Sequence, residues 1–419
     1  MFLQDFYDVI LFNTVPGISL QKIAALSLKI ILHKGREESV LRRHPWIFSG
    51  AIWRCEGDMH PGDLVEVCDY RGSTLGYGLY EEGSLQVRMV VFGQRRPDDD
   101  LWREKLLHAY ELRRALGLVG NDLTNAFRFI HAEGDGFPGL VADFYNGVLV
   151  MQAQTPGMYR LLPQLAGLLP EIFSDSLRAV YSKPAEYATR YDPNLKNTQG
   201  FLWGEAEVTE IMENGNRFRV DFVAGQKTGF FIDQRDNRSL VARYAEGRKV
   251  LNCFSYSGGF SVYALKAGAA LVHSVDSSAK AIEACRENLV LNGFDPEEHS
   301  CIEADALQFL ARMDDQYDLI VLDPPAFAKH MTQRSKAIKA YRYINRLAIS
   351  RARPGSFLFT FSCSQVVDAD AFRSMVLSAA IEAGRNVVVL HAMRQPPDHP
   401  VSIFQPETEY LKGLVLYIS

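Results

Sequence analysis

The chain has 419 residues, more than one ordinary hydrophobic core accommodates, so two or three domains are expected. Hydrophobic residues make up 47% and charged residues 23% of the sequence, as in soluble globular proteins, and no run of about 20 apolar residues indicates a membrane span. The net charge of −5 is unfavourable for nucleic-acid binding, which requires positive surface, although Lys34, Arg36, Arg42 and Arg43 form a local basic cluster.

Residues 1–27 are predicted to be an N-terminal extension that precedes the folded domains. The apolar run Met1–Phe12 contains Asp5 and Asp8 and follows no basic residue, which is atypical of a signal peptide. We expect the native start to lie near Ser27. The six cysteines are scattered and include no Cys-x-x-Cys pair, so neither a metal site nor a disulfide framework is predicted, and a cytoplasmic, reducing compartment is expected.

Residues 28–97 are predicted to form a small β-barrel or sandwich. Turn formers such as Pro61-Gly62-Asp63 separate β-branched or alternating runs. The predicted strands include Lys29–Leu32, Leu64–Val67 and Leu85–Val91. A linker is predicted at Gln94–Asp100.

Residues 98–207 are predicted to form a small α+β middle domain. Apolar residues recur at helical spacing in Asp100–Gly117, and a second helix is predicted around Met158–Phe173. Residues 208–222 contain two β-rich runs around Asn214-Gly215, a pair typical of tight hairpin turns. This hairpin is interpreted as the hinge into the last domain, so the domain from 208 to 419 begins with it.

The C-terminal half alternates strands and helices. Predicted strands are Lys249–Phe254, Leu271–Val275, a third ending at Ala304, Tyr317–Leu322, Ser356–Phe361, Asn386–Leu390 and Leu411–Ile418. Predicted helices are Gly258–Ala267, Ser277–Leu291, Gln333–Ala352 and Asp368–Ala383. Apolar strands separated by helices predict a Rossmann-like α/β domain with a parallel sheet, whose ligands bind at the carboxyl ends of the strands.

The first of these strand ends is rich in small residues. Between Cys253 and Phe260 they allow the backbone to approach a ligand at a helix N-terminus, although a plain glycine turn is the alternative from this segment alone. Only Gly258 and Gly259 are glycines, so the loop is neither a dinucleotide fingerprint nor a Walker loop, and a pyrophosphate is a poor candidate ligand.

Aspartates follow the next two strands. Asp276 is placed to accept hydrogen bonds from ribose hydroxyls, and Asp305 from the amine of an adenine. Each aspartate alone is more often a helix N-cap. Their positions at successive strand ends favour a nucleoside, which NAD and S-adenosylmethionine both contain.

The fourth and fifth strand ends carry the chemistry. Asp323-Pro324-Pro325 forms a stiff loop before Phe327, which suits a flat base taken out of its stack, although a structural turn is the alternative. Cys363 follows the fifth strand, facing that loop, in the position of a nucleophile. Most lone cysteines are inert, and it is the position of Cys363 that makes it a candidate.

These motifs resemble the ribosomal RNA large subunit methyltransferase I family, whose members form 5-methylcytidine in 23S rRNA. The likeness runs from about residue 28 to the end. It is carried by Lys34–Glu37, Leu41–Gly50, Glu133–Leu140, Lys227–Arg238, Cys253–Phe260, Val275-Asp276, Asp323–Phe327, Ser362–Ser364 and Asp398–Val401. The resemblance implies an N-terminal RNA-binding PUA domain, S-adenosylmethionine as cofactor, and 23S rRNA or the assembling large subunit as partner, with no membrane and with a homodimer allowed.

The resemblance also implies roles. Ser255, Gly258 and Asp276 would hold the methionine and ribose parts of the cofactor, and Asp305 its adenine. Asp323 would contact the target base or the reacting end of the cofactor, and Cys363 would be the nucleophile. The remaining implied cofactor contacts are Phe254, Tyr256, Ser277, Pro324 and, as residues closing over the site, Gln234 and Arg235.

The expected mechanism is attack of Cys363 on C6 of cytosine, which makes C5 nucleophilic, with Asp323 favouring the charged intermediate. Many RNA 5-methylcytosine enzymes have a second cysteine after the paired prolines, where this chain has Ala326, so either product release differs or the cysteine assignment is incomplete. Three alternatives stay open. They are methylation of a guanine or adenine nitrogen, which needs no cysteine; a non-catalytic RNA-binding protein; and, disfavoured by the missing glycine fingerprint, a nicotinamide dehydrogenase.

Overall fold

The computed structural model describes residues 28–183, 199–207, 209–314, 316–328 and 330–419. The predicted N-terminal extension, residues 1–27, therefore lies outside the described residues. The chain divides into two compact units between Asp98 and Asp99.

The first unit is built on a six-stranded sheet in the order β2-β6-β5-β4-β1-β3. Its strands are β1 Lys29–Leu32, β2 Trp46–Phe48, β3 Ile52–Glu56, β4 Leu64–Cys68, β5 Thr74–Tyr80 and β6 Leu85–Phe92, with a short helix α1 at Glu38–Leu41. Alternating residues of the strands, such as Val65, Val67, Val87 and Met89, are buried in one core, as the period of two in the sequence requires. The predicted β-rich first domain is confirmed.

The second unit begins with a five-stranded sheet and two helices. The helices are α2 Asp99–Ala115 and α3 Pro156–Phe173, and the strands, in the order β11-β10-β9-β8-β7, are β7 Ala126–His131, β8 Leu140–Tyr145, β9 Val148–Ala153, β10 Ala179–Ser182 and β11 Gly200–Gly204. Helix α3 begins where the Oγ1 of Thr155 accepts a hydrogen bond from the amide of Met158 (3.4 Å) and Pro156 fills the first helical position. Both predicted helices are present.

The predicted hairpin follows. Strands β12 (Thr209–Glu213) and β13 (Asn216–Val220) pair antiparallel across Asn214 and Gly215, whose φ angles are +49° and +77°. Two consecutive left-handed residues match the twist of the strands, which is why Asn-Gly occurs here. Glu213 at the tip is fully buried and paired with Arg238, so the hairpin is fastened to the following helix.

A seven-stranded sheet forms the rest, in the order β16-β15-β14-β17-β18-β20-β19. Its strands are β14 Lys249–Cys253, β15 Leu271–Asp276, β16 Cys301–Glu303, β17 Leu319–Leu322, β18 Ser356–Ser362, β19 Val387–Arg394 and β20 Lys412–Ile418, and its helices are α4 Arg235–Ala245, α5 Gly259–Lys266, α6 Ala279–Leu291, α7 Ala306–Arg312, α8 Arg334–Arg351 and α9 Ala369–Ala383. Buried apolar residues line both faces of the sheet, forming two core clusters.

The prediction of a parallel sheet is correct for β14 to β18 and wrong for β20. This strand runs antiparallel between β18 and β19. The connection from β19 to β20 has no α-helix to carry the chain back across the sheet, and without such a crossover two neighbouring strands pair antiparallel. The start of β20 therefore lies beside the end of β18, where Lys412 pairs with Ser362.

Buried arginines connect the two sheets of the second unit. The Arg113 guanidinium donates to both carboxylate oxygens of Asp135 and to the carbonyl oxygen of Asp398 (2.8 Å). Arg128 is paired with Asp143, and Arg235 with Asp398. The hydrogen bond from Arg113 to Asp398, together with one from the amide of Arg128 to Oδ2 of Asp398 (3.0 Å), holds the five-stranded sheet and helix α2 against the segment that follows β19. Among the described residues, no helix is both long and apolar enough to cross a membrane.

Candidate active site

The loop after β14 has a backbone that turns sharply. Phe254, Tyr256 and Gly258 all have positive φ angles, of +60°, +45° and +79°. Such angles are uncommon outside glycine and concentrate at ligand sites. The Oγ atom of Ser255 is buried and has no hydrogen-bond partner within the described residues, so a polar group is available where the loop meets helix α5.

Asp276 lies beside this loop, at the end of β15. Its Oδ2 accepts a hydrogen bond from the amide of Tyr256 (3.0 Å), and its Oδ1 accepts one from the amide of Ser278 (2.9 Å). A carboxylate has about four acceptor positions, so both oxygens can still accept from ribose hydroxyls. Ser277, which lies between Asp276 and Ser278 in the sequence, is exposed.

Asp305 follows β16 and caps helix α7, where its Oδ1 accepts from the amide of Gln308 (2.8 Å). It lines a cavity of about 450 Å³ together with Phe309 and Tyr317. The Ser255 hydroxyl, which has no partner among the described residues, and the Asp276 carboxylate are the kinds of group that the methionine and ribose parts of S-adenosylmethionine require. These two predicted residues therefore fit that cofactor.

Gly258 offers a direct test of the loop. A Cβ built on it would lie 2.5 Å from the Sγ of buried Cys285 in helix α6, and its φ of +79° disfavours any side chain. We expect Gly258→Ala to lower the thermal midpoint and to weaken S-adenosylhomocysteine binding at least tenfold. Thermal unfolding measures the midpoint, and calorimetry measures the affinity for S-adenosylhomocysteine.

Gly293→Ala is the matched control, because Gly293 has a φ of +84° but nothing within 4 Å of the added Cβ. It should cost about 1 kcal/mol of stability and leave cofactor affinity unchanged. Equal effects of the two substitutions on affinity would contradict the account of the loop.

The register of the parallel strands brings the two proposed catalytic residues together. Cys253 pairs with Leu322, and Leu322 pairs with Thr360, so Phe254, Asp323 and the end of β18 lie at one edge of the sheet. The Gln234 side chain, which accepts a hydrogen bond from Asn237 (2.6 Å), acts to lower the pKa of Asp323. Burial and the negative charge of Asp233 raise the pKa of Asp323 to about 7.

Cys363 is partly exposed just beyond β18. Burial raises the pKa of its thiol to about 11, the negative charges of Asp323 and Asp233 act in the same direction, and Lys227 and Lys412 oppose them. A thiol with this pKa is protonated at neutral pH. The predicted nucleophilic role of Cys363 would therefore require a change of charge at the site when its ligands bind.

Four further residues complete the site and were not predicted. Lys227 is an exposed cation whose charge acts on Asp233, Asp323 and Cys363. The hydroxyl of Tyr410 donates to the Oδ2 of Asp233 (2.7 Å). Lys412 donates through Nζ to the carbonyl oxygens of Ser364 (2.6 Å) and Tyr410 (2.8 Å).

The sequence contained a signal for two of these four residues. Lys227 and Asp233 lie in the run Lys227–Arg238 that carries the family resemblance, but the resemblance implied no role for either. Tyr410 and Lys412 reach the site only because β20 is antiparallel.

Of the other predicted residues, Pro324 is buried directly after Asp323, and Phe327 packs on Tyr341 with ring centroids 4.6 Å apart. Arg235 is also buried, and its guanidinium makes two hydrogen bonds to Asp398, of 2.9 and 3.0 Å. Gln234 is thus buried and acts on the pKa of Asp323, whereas Arg235 is held away from the solvent by Asp398.

The electrostatics of Cys363 predict its reactivity. Iodoacetamide reacts with the thiolate, so alkylation of Cys363 should accelerate about tenfold per pH unit from pH 7 to 10, without a plateau below pH 10. Asp323→Asn removes a negative charge that raises the thiol pKa, so it should speed alkylation several-fold at pH 8. The effect should be smaller at pH 6, where Asp323 is itself protonated.

Peptide mass spectrometry quantifies the alkylation. Asp305→Asn is the control, because its carboxylate caps helix α7 and is not among the charges that shift the pKa of Cys363. A plateau near pH 8.5 in the native chain would contradict the assigned charge environment.

Comparison with known proteins agrees with this architecture. Residues 127–412 match the family model of S-adenosylmethionine-dependent methyltransferases, and residues 30–92 match that of a PUA-like domain. A solved Streptococcus mutans chain assigned as a SAM-dependent methyltransferase superposes with a TM-score of 0.79 at 19% identity, covering 93% of this chain and all of that one. A second solved chain, described as a methyltransferase complexed with SAH, superposes with a TM-score of 0.80 at 19% identity and the same coverage.

The fold and the site thus define an S-adenosylmethionine-dependent methyltransferase with a PUA-like domain. The chain is 39% identical over 396 residues to the ribosomal RNA large subunit methyltransferase I of Erwinia tasmaniensis, covering 93% of this chain and 98% of the relative. It is 40% identical over 406 residues to the protein of the same name from Shewanella denitrificans, covering 93% and 99%. The chain belongs to the ribosomal RNA large subunit methyltransferase I family.

Proposed function

We propose that this enzyme methylates C5 of a cytidine in 23S rRNA, as naked RNA or in the assembling large subunit, in the cytoplasm. The observation that carries the proposal is the position of Cys363, at a strand end beside Asp323 and within reach of the charges of Lys227 and Lys412. Nitrogen methylation needs no such thiol, because a ring nitrogen has its own lone pair, whereas C5 of cytosine becomes a good nucleophile only after C6 has been attacked.

The cofactor site supplies the methyl group. S-adenosylmethionine, when bound, provides an electrophilic methyl on a positively charged sulfur. Ser255 and the amides around Gly258 would hold its methionine part, Asp276 its ribose and Asp305 its adenine. The exposed Ser277 and the partly buried Phe254 and Tyr256 would border it.

Asp323 suits a proton-donating role in this reaction. Its pKa of about 7 means that a substantial fraction is protonated at neutral pH. A protonated carboxyl donates a hydrogen bond to ring nitrogen N3 of cytosine, and it stabilises negative charge that moves there when Cys363 adds to C6. Protonation of Asp323 also removes one of the charges that disfavour the thiolate. Pro324 would fix the direction of the carboxyl.

The first unit provides a surface for RNA. Lys34, Arg36, Arg42 and Arg43 flank helix α1 and are all exposed, and the aromatic side chain of Trp53 is 53% exposed. Cations contact phosphates and exposed rings stack on unpaired bases. This cluster therefore offers the local basic surface that the net charge of −5 does not suggest. A homodimer stays a prediction.

The test is methyl transfer from labelled S-adenosylmethionine to 23S rRNA that lacks the modification, with nucleoside analysis of the product. Label in 5-methylcytidine supports the proposal. Label in a guanine or adenine derivative would keep the methyltransferase and remove the cytosine chemistry.

A further inference from the structure

Methylation at C5 leaves a hydrogen on that carbon that must be removed, and we propose that Asp233 is the base that removes it. The inference rests on the proposed cytosine chemistry. Asp233 lies in the 3-10 turn Ile232–Gln234 and is only 8% exposed. Its Oδ2 accepts a hydrogen bond from the hydroxyl of Tyr410 (2.7 Å), while its Oδ1 is buried without a partner among the described residues. Tyr410 thus fixes Oδ2 of Asp233, and Oδ1 is available to take a proton.

The position of Asp233 matches that of C5. In cytosine, C5 lies between C4, which carries the amine, and C6. A ring whose amine edge meets Asp323 and whose C6 meets Cys363 therefore presents C5 between those two residues. Asp233 is close to both of them, because its charge acts on the pKa of each.

The charge states of Asp233 and Asp323 also differ as a base and a proton donor require. Burial disfavours ionised Asp233, but the charges of Lys227 and His399, the hydroxyl of Tyr410 and the charge of Arg128 outweigh it, so the pKa of Asp233 is lowered. Asp233 therefore stays ionised at neutral pH, whereas the pKa of Asp323 is raised to about 7. Neighbouring carboxylates with pKa values shifted in opposite directions divide the roles of base and acid.

The Cys363 thiol gives its proton to water, and the resulting thiolate adds to C6. The electron pair of the C5–C6 double bond then forms the new bond from C5 to the methyl group, while the bond from that methyl to the cofactor sulfur breaks and S-adenosylhomocysteine leaves with its electron pair. Oδ1 of Asp233 then takes the proton from C5. The electron pair of that C–H bond restores the double bond, the C6–S bond breaks, and Cys363 leaves as a thiolate. Asp233 passes its proton to water.

Asp233→Asn tests the assignment, because it keeps the size and the oxygen that accepts from Tyr410 but removes the basicity. The substrate is 23S rRNA carrying tritium at cytosine C5, with labelled methyl on the cofactor. We expect tritium release to fall on the order of 100-fold or more. A covalent protein–RNA adduct that carries the methyl label should accumulate, up to one per enzyme.

RNA that contains 5-fluorocytidine provides the control for an intact site. Its carbon–fluorine bond is not broken by a base, so every step before proton removal leads to a trapped adduct. The native enzyme and Asp233→Asn should trap this RNA equally, and Cys363→Ser should trap none.

Two results would overturn the assignment: tritium release by Asp233→Asn within about threefold of the native rate, or failure of this variant to trap the fluorinated RNA while it still binds S-adenosylhomocysteine. Failure of the proposed function itself is recognised separately, because the native enzyme would then release no tritium and trap no adduct.

Discussion

Replacement of Cys363 by serine should abolish methyl transfer to 23S rRNA, lowering the rate by at least about 10³-fold. A serine hydroxyl ionises far less readily than a thiol and is a poorer nucleophile toward C6, so C5 is not activated. The side chains are nearly the same size, and Cys363 is partly exposed, so the substitution should not disturb folding. The measurement is incorporation of labelled methyl into RNA, with calorimetry to show that S-adenosylhomocysteine still binds.

Cys55→Ser is the matched control, because Cys55 is an exposed thiol in the first unit. It should retain activity within about twofold. Near-normal 5-methylcytidine formation by Cys363→Ser would falsify the nucleophile assignment, and near-normal labelling of a purine would identify nitrogen chemistry instead.

The fold was predictable because its signals are local. Buried strands such as β17 appear as short apolar runs, and helices such as α8 show apolar residues at their own period. The Asn214-Gly215 turn follows from the left-handed backbone that a hairpin requires. Each of these elements depends on residues that are neighbours in the sequence.

The strand-end residues of the site were predictable for a related reason. In a parallel sheet all carboxyl ends lie at one edge, so Asp276, Asp323 and Cys363 come together once the strands are identified. That rule does not predict Tyr410 and Lys412, which lie just before and at the start of an antiparallel strand. It does not predict Asp233 either, because the proposed role of Asp233 depends on a buried carboxylate oxygen without a partner among the described residues.

Buried charges are the other feature that sequence patterns did not reveal. In an amphipathic helix a charged residue is ordinarily placed on the solvent side, and helix α4 offers Arg235 and Arg238 without any sign that they are buried. Their partners, Asp398 and Glu213, are 163 and 25 residues away in sequence. Burial of an arginine depends on a partner that the fold supplies, and only the structure identifies it.

Asp398→Ala should therefore destabilise the second unit by about 3–5 kcal/mol. Asp398 is fully buried and accepts two hydrogen bonds from Arg235 and one from the amide of Arg128 (3.0 Å). Its removal leaves the Arg235 guanidinium buried without these acceptors.

Asp236→Ala is the control. Asp236 also contacts Arg235 (3.4 Å), but its side chain is 54% exposed, so its loss should cost under about 1 kcal/mol. Urea unfolding followed by circular dichroism measures both.

The pH dependence identifies the cause of this loss. Burial disfavours ionised Asp398, but His399 and Arg235 more than compensate and hold its pKa well below the ordinary value. A lowered carboxylate pKa contributes stability above the unfolded-state pKa of about 4, and that contribution fades as the pH falls toward the folded-state pKa. The difference between the native chain and Asp398→Ala should therefore be constant from pH 7 to 5 and shrink below pH 4. A difference that stayed constant in acid would mean that lost packing, and not the ion pair, causes the destabilisation.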